Sequence, residues 1–198
     1  PNCEQLLKQR QNRVKSQHHV AFEKNISDPA NQPFRTPSGN MEIFSQRLYD
    51  LNNPDTPALS HYVPAHEGPE DALKDKYPLQ MITWKGKHRA NSTQYANPWL
   101  QEVHLQTLWM NPADAERRSL AEGDEVRIYN DRGVSIIPVE ITPRVMPGVV
   151  AMRAGAWWSP DKDGVDRGGC PNVLTSARIT ALAKGNSHQT LLVEVKKA

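Results

Sequence analysis

Between residues 77 and 198, short apolar runs alternate with turn-forming residues, and this pattern most constrains the fold. Val126–Tyr129 and Val134–Ile141 flank the turn Asn130–Gly133 and predict a β-hairpin. Asn111-Pro112 predicts a helix start, because asparagine caps a first turn and proline fits the first helical position. At least six short strands with one capped helix indicate a small closed β structure. The other apolar runs are Leu79–Thr83, Val149–Met152 and Leu191–Val195.

Residues 1–76 differ in composition from the rest of the chain. The stretch 4–24 is charged and rich in glutamine, with scattered apolar positions that allow a short amphipathic helix. Many of the 16 prolines lie between 25 and 78, where apolar residues are sparse and no periodicity is visible. We therefore predict an N-terminal extension or linker over 1–76, a helix followed by a proline-rich irregular segment. The compact domain is predicted over 77–198.

Composition excludes several classes of protein. A net charge of +2 does not call for a nucleic-acid partner. No apolar run approaches the ~20 residues of a membrane span, and no signal-peptide pattern follows Pro1. The two cysteines, Cys3 and Cys170, form no CxxC or Cys/His cluster, so we expect no iron–sulfur or zinc site here. A hydrophobic content of 37% is low for a self-contained enzyme and indicates a piece of a longer chain.

The segment Thr83–Thr93 is the clearest functional motif. It holds four potential cations, a tryptophan and several small polar residues directly after a predicted strand. Lysine and arginine supply charge-assisted donors, while hydroxyl groups and free backbone amides supply further donors. Trp84 offers a flat face for a ring system. The segment therefore predicts a phosphate-binding loop, and its alternative is an ordinary solvated basic loop.

Five further motifs follow in a fixed order. Their succession resembles the C-terminal molybdopterin-dinucleotide-binding domain of the dimethyl sulfoxide reductase family. Thr36–Ser45 resembles the segment that precedes this domain, and Ala154–Trp158 with Leu191–Val195 is similar to the bacterial membrane-anchored members. The resemblance covers roughly residues 33–198. The five motifs are Asn111–Ala115, Glu122–Val126, Asn130–Gly133, Pro147–Val150 and Pro171–Thr175.

This resemblance implies a mainly β fold. We expect a six-stranded double-psi β-barrel with a few short helices and a long irregular N-terminal extension. The resemblance also implies the catalytic subunit of a molybdenum oxidoreductase that carries bis(molybdopterin guanine dinucleotide) and reduces S-oxides or N-oxides, such as dimethyl sulfoxide, in anaerobic respiration. The isolated chain is expected to be inactive.

The same resemblance assigns candidate cofactor contacts. It implies that the Asn172 side chain faces the pterin, and it sets Gln189 where relatives often carry a lysine. We expect no catalytic or metal-binding residue in this chain, and iron–sulfur clusters only in domains or subunits outside it. The candidate cofactor-binding residues are Thr83, Trp84, Lys85, His88, Arg89, Ser92, Asn172 and Gln189.

The implied partners are the upstream domains of the same subunit, an iron–sulfur electron-transfer subunit, a membrane anchor subunit and a small-molecule oxide substrate. Nucleic acid is not expected. The parent enzyme is expected at the bacterial cell membrane, facing the periplasm after twin-arginine export. Trp157 and Trp158 are expected to pack against a neighbouring domain, and the charged loop with Asp161, Asp163 and Asp166 is expected to be solvated surface.

Two alternatives remain at this point. One is a free-standing double-psi barrel that serves as a protein-interaction module. The loop Thr83–Thr93 argues against it, because a pure interaction barrel has no need of a phosphate site. The other is a paralogue that reduces selenate or another oxyanion, since substrate choice depends on domains outside this chain.

Overall fold

The computed structural model describes residues 2–9, 18–187 and 189–198. Contacts divide the chain into two units. One comprises residues up to Asn52 together with Pro57–Ser60, and the other comprises Asn53–Thr56 with His61–Ala198. The predicted boundary between 1–76 and 77–198 stays a prediction. No helix within the described ranges has the length and apolar character to cross a bilayer.

Three short helices lie in the described part of the first unit. Ser45 caps the third, since its side chain accepts a hydrogen bond from the Leu48 amide at 3.4 Å. Large apolar side chains such as Met41 and Ile43 are exposed, so this unit has little core. The helix predicted within 4–24 is seen as α1, and the stretch 10–17 lies outside the described residues. The helices are α1 Cys3–Gln9, α2 Glu23–Ser27 and α3 Gln46–Leu51.

The second unit is a closed barrel of six strands, in the order β1-β5-β2-β4-β3-β6. Five strands coincide with the predicted apolar runs, and β2, only three residues long, was not predicted. The strands are β1 Leu79–Trp84, β2 Leu108–Met110, β3 Glu125–Tyr129, β4 Val134–Ile141, β5 Val149–Arg153 and β6 Leu191–Lys197. The helices are α4 Pro98–Val103 and α5 Pro112–Arg117, and 3₁₀ turns occupy Ala72–Asp75 and Pro171–Val173.

The strand order has a twofold internal relationship. Strands β1 and β5 pair in parallel, as do β2 and β4, while every other neighbouring pair is antiparallel. Exchanging β1 with β4, β2 with β5 and β3 with β6 leaves the closed order unchanged. Two interlocked halves of this kind form a double-psi barrel. The predicted fold class is confirmed.

Inward-facing positions of the strands form one apolar core. Leu79 and Met81 alternate with outward residues on β1, and Leu108 and Met110 do the same on β2. Burial of each such side chain contributes about 1.5–3 kcal/mol. The helix predicted at Asn111 is confirmed, since its side-chain oxygen accepts from the Ala113 amide at 3.0 Å. The barrel thus provides a rigid frame from which the loops after β1 and β5 project.

Candidate cofactor-binding site

The loops that follow β1 and β5 meet at one end of the barrel, because these two strands run parallel and adjacent. Between the loops lies a cavity of about 260 Å³, called the loop cavity below. None of its lining residues is acidic. They are Thr83, Asn91, Ser92, Ala154, Gly155, Ala156, Cys170, Pro171 and Asn172.

Thr83 lies near the end of β1, where the strand still pairs with β5 but no longer with β6. Pairing of β1 with β6 ends at Met81, so the Thr83 amide donates instead to Oε1 of Gln189 at 3.3 Å. The Thr83 hydroxyl is buried and has no hydrogen-bond partner among the described residues. A bound ligand that supplies a donor or an acceptor would remove the cost of that unpaired group.

Two contacts join the loops. Gly155 adopts φ of +91°, and a Cβ atom there would lie 1.9 Å from the Asn91 carbonyl oxygen. Only glycine allows this approach. Nε1 of Trp157 donates to the Ser92 carbonyl oxygen at 2.9 Å. The Ser92 side chain is therefore held at the cavity by its own backbone, and this role of Gly155 was not predicted from the sequence.

A buried carboxylate holds the second loop. Asp166 is 0% exposed, and it accepts hydrogen bonds from the Ser135 hydroxyl at 2.9 Å and the Cys170 amide at 2.7 Å. It also accepts from the Ser159 and Gly168 amides at 3.0 and 3.1 Å. The prediction of solvated surface is wrong for Asp166, because these donors replace water.

The polar character of the loop cavity suits a ligand that both donates and accepts. Ser92 and Asn172 are exposed at the cavity, and each offers donors and acceptors. Burial raises the pKa of the Cys170 thiol, which therefore remains protonated at neutral pH. Lys85 contacts Asn91 and adds a positive charge beside the cavity.

The eight predicted residues do not share one site. Thr83, Ser92 and Asn172 line the loop cavity, and the Gln189 side chain accepts a hydrogen bond from the Thr83 amide. The other four, Trp84, Lys85, His88 and Arg89, do not line it.

Trp84 and His88 line a different cavity of about 500 Å³. Arg89 donates to Oε1 of Gln106 at 3.0 Å and lies over the Tyr95 ring at 4.7 Å. Burial lowers the pKa of Arg89, with the nearby charge of Arg153 adding to the effect. All eight stay predictions as cofactor contacts.

Residues 79–192 match the sequence profile of the Molydopterin dinucleotide binding domain. The chain belongs to this family. It is 44% identical over 187 residues to dimethyl sulfoxide reductase DmsA of Escherichia coli (strain K12), covering 91% of this chain and 23% of that protein. The protein of the same name from Haemophilus influenzae (strain ATCC 51907 / DSM 11121 / KW20 / Rd) is 44% identical over 185 residues, covering 90% and 23%. The resemblance to the dimethyl sulfoxide reductase family is confirmed.

The chain spans about a quarter of the length of these curated relatives. Among solved structures it resembles acetylene hydratase from Pelobacter acetylenicus, with a TM-score of 0.71 and 15% sequence identity. The match covers 86% of this chain and 25% of that one. At this identity the likeness concerns the fold alone.

Proposed function

We propose that this chain is the C-terminal, cofactor-binding part of the catalytic subunit of a molybdenum oxidoreductase that reduces an S-oxide or N-oxide such as dimethyl sulfoxide. Family membership supports the cofactor class. The names of relatives support the substrate class, since they include trimethylamine-N-oxide reductase 1 of Escherichia coli (strain K12) at 33% identity. The observation that carries the proposal is the loop cavity, which lies within the matched residues and carries polar groups without an acid.

The residues around the loop cavity hold the cofactor in this proposal. Ser92, Asn172 and the Thr83 hydroxyl hydrogen-bond the pterin edge, and Gln189 fixes the Thr83 backbone from behind. Lys85 is exposed beside the cavity and contacts a phosphate. When bound, the molybdenum centre and its pterin dithiolenes supply the oxygen-atom transfer. This chain binds, orients and shields one side of that group.

Arg89 acts from the far side of the loop, while His88 and Trp84 line the separate cavity of about 500 Å³. Arg89 packs on Tyr95 and bonds Gln106, whose amide donates to the Arg153 and Gly169 carbonyl oxygens at 2.8 and 2.9 Å. These contacts tie the loop after β1 to the loop after β5. Arg89 therefore influences cofactor binding through the position of the loop, in addition to its charge.

Partners and location follow from the same proposal. Trp157 and Trp158 are 52% and 62% exposed, and Trp99 on α4 is 77% exposed. Large exposed aromatic side chains suit burial against a neighbouring domain. We assign that role to the upstream domains of the catalytic subunit. An iron–sulfur electron-transfer subunit and a membrane anchor complete the proposed periplasm-facing complex.

The function is tested by the activity of the intact enzyme. The full-length protein that carries this chain at its C-terminus is purified, and oxidation of reduced viologen is followed with dimethyl sulfoxide, trimethylamine N-oxide or selenate. We expect turnover with an S-oxide or N-oxide. Turnover with selenate alone, or with none of the three in a molybdenum-replete preparation, contradicts the proposal.

A further inference from the structure

A second cavity, of about 500 Å³, lies on the outer face of the barrel and is called the outer cavity below. Trp84 and Trp109 form its floor, with ring centroids 4.3 Å apart and planes inclined by 31°. Their strand neighbours Thr83, Leu108 and Met110 are buried, so both indoles project outward by the alternation of a strand. The volume lies in the range of small-molecule sites.

Two arginines lie on the indole floor. The Arg153 guanidinium is 4.9 Å from the Trp84 ring centroid, and that of Arg144 is 5.3 Å from the Trp109 centroid. Gly86 makes the first contact possible, because a Cβ atom there would lie 2.5 Å from Cδ of Arg153. Lys87 stands at the same cavity. Within the described part of the chain, neither Arg144 nor Lys87 forms an ion pair.

Unpaired donors cluster in the floor. Nε1 of Trp84, Nε1 of Trp109 and Nε of Arg153 are buried without an acceptor among the described residues. All three groups donate only, so the partners they lack are acceptors. Trp84, Trp109 and Arg153 all line the outer cavity. Unpaired buried donors are costly and rare in native proteins. Three of them in the indole floor therefore indicate a ligand with hydrogen-bond acceptors.

The acidic residues of the outer cavity limit the charge of its ligand. Oε2 of Glu140 accepts from the Thr107 hydroxyl at 2.9 Å, and Oε2 of Glu122 accepts from the Ile141 amide at 2.7 Å. Glu102 faces the cavity from α4. Three carboxylates oppose a polyanion such as a dianionic phosphate, while a single negative charge placed between Arg144 and Lys87 is tolerated.

The rim favours an apolar body. Val103 and Leu105 line the outer cavity and are 70% and 62% exposed. The His88 and His104 rings stack with centroids 3.4 Å apart and planes 7° apart, and they close one side. A flat group can therefore lie on the indole floor between apolar side chains while its charged end reaches the cations.

We propose that the outer cavity binds a small organic monocarboxylate with a flat or apolar body. The carboxylate lies between Arg144 and Lys87, and the body lies on Trp84 and Trp109. None of the polar side chains assigned to the pterin in the loop cavity takes part. Binding at the outer cavity can therefore be tested separately from the proposed cofactor role.

The indole N–H signals of the 198-residue chain test this site, because each of its five tryptophans carries one indole N–H group. Benzoate is titrated into the ¹⁵N-labelled chain at pH 7.5, and tryptophan-to-phenylalanine variants assign the signals. Saturable shifts of the Trp84 and Trp109 signals are expected, with Trp99, Trp157 and Trp158 unchanged. Arg144→Gln should weaken benzoate binding about tenfold or more. Arg127→Gln, at an exposed arginine on β3, should leave it unchanged.

Two further ligands separate charge from shape. Benzyl alcohol has the flat body without the charge, and inorganic phosphate has the charge without the body. Both should bind at least about tenfold more weakly than benzoate, as measured from the shifts of the two indole signals. Absence of benzoate shifts, equal binding of benzyl alcohol, or tighter binding of phosphate overturns the proposal. Lys87→Gln provides a second variant if Arg144→Gln disturbs the amide spectrum.

Discussion

Glu67 and Arg132 form a two-pronged ion pair, with each carboxylate oxygen 2.7 Å from a different guanidinium nitrogen. The Glu67 side chain is buried, with 2% exposure. Its backbone is left-handed, at φ of 53°. One of its oxygens also accepts from the Leu192 amide on β6 at 3.2 Å. Nε of Arg132 donates to the Leu174 carbonyl oxygen at 2.7 Å. The pair ties the segment before β1 to the β3–β4 turn and to β6.

Removing the cation from this pair should destabilise the barrel. Arg132→Met leaves the buried Glu67 without its guanidinium partner and with only the Leu192 amide and the His66 ring nearby. Removal of one partner costs about 3–5 kcal/mol for fully buried pairs. Because Arg132 is partly exposed, we expect a loss of about 2–4 kcal/mol in the free energy of unfolding by urea. Arg127→Met, at an exposed position on β3, is the control and should change stability by less than ~0.5 kcal/mol. Equal stability of the two variants would show that Glu67 does not depend on Arg132.

The Asp166 carboxylate should be needed for the shape of the loop cavity. Asp166→Ala leaves the amides of Ser159, Gly168 and Cys170 without an acceptor, so we expect a loss of at least about 3 kcal/mol. Asp163→Ala, in the same loop but exposed, should cost less than ~0.5 kcal/mol. Urea unfolding followed by circular dichroism measures both. A loss below 1 kcal/mol for Asp166→Ala would mean that water replaces the carboxylate.

The stacked histidines should make stability depend on pH. Burial lowers the pKa of His104 from 6.5, and the charges of His88, Arg153 and Arg89 lower it further. The unfolded chain therefore takes up this proton first, and the free energy of unfolding should fall as pH drops below about 6.5. His104→Phe retains a ring against His88 and should remove part of that fall between pH 7.5 and 5.5. An unchanged difference between these two pH values would exclude His104 as its source.

Limited proteolysis should find the proline-rich connection first. Tyr62 is 69% exposed, and few apolar contacts hold this part of the chain. Cuts between Asn52 and Tyr77 should precede cuts between Val126 and Val150, and they should fall before the buried Glu67. Mass spectrometry of timed chymotrypsin digests identifies the sites, because residues 52–67 contain Tyr62 but no lysine or arginine. Equal resistance of the two regions would place this connection in the barrel core and refute the boundary predicted near Tyr77.

The sequence was sufficient to predict the helices and strands that carry a local signal. The helix at Asn111-Pro112 and the longer strands have caps or apolar periodicity. Strand β2 has three residues after an irregular loop, which is too short for any period to appear. The closed strand order arises from pairs distant in sequence, and only the family resemblance supplied it.

The candidate site shows the same limit. Thr83 and Trp84 were predicted in one site, yet adjacent residues of a strand face opposite sides, and the two side chains line different cavities. That separation follows from alternation alone and could have been predicted. Gly155 and Asp166 act through contacts with distant residues, which no local pattern reveals.

Cofactor content of the full-length enzyme tests the central claim most directly. Molybdenum and released guanine nucleotide are quantified per protein for the parent enzyme, for Asn172→Ala with Ser92→Ala, and for Asn31→Ala as an exposed control. Loss of two polar contacts of about 0.5–1.5 kcal/mol each should reduce cofactor retention about fivefold or more after dialysis. The control should keep the parent's content. Full molybdenum and guanine content in the double variant would contradict the assignment of the loop cavity to the pterin cofactor.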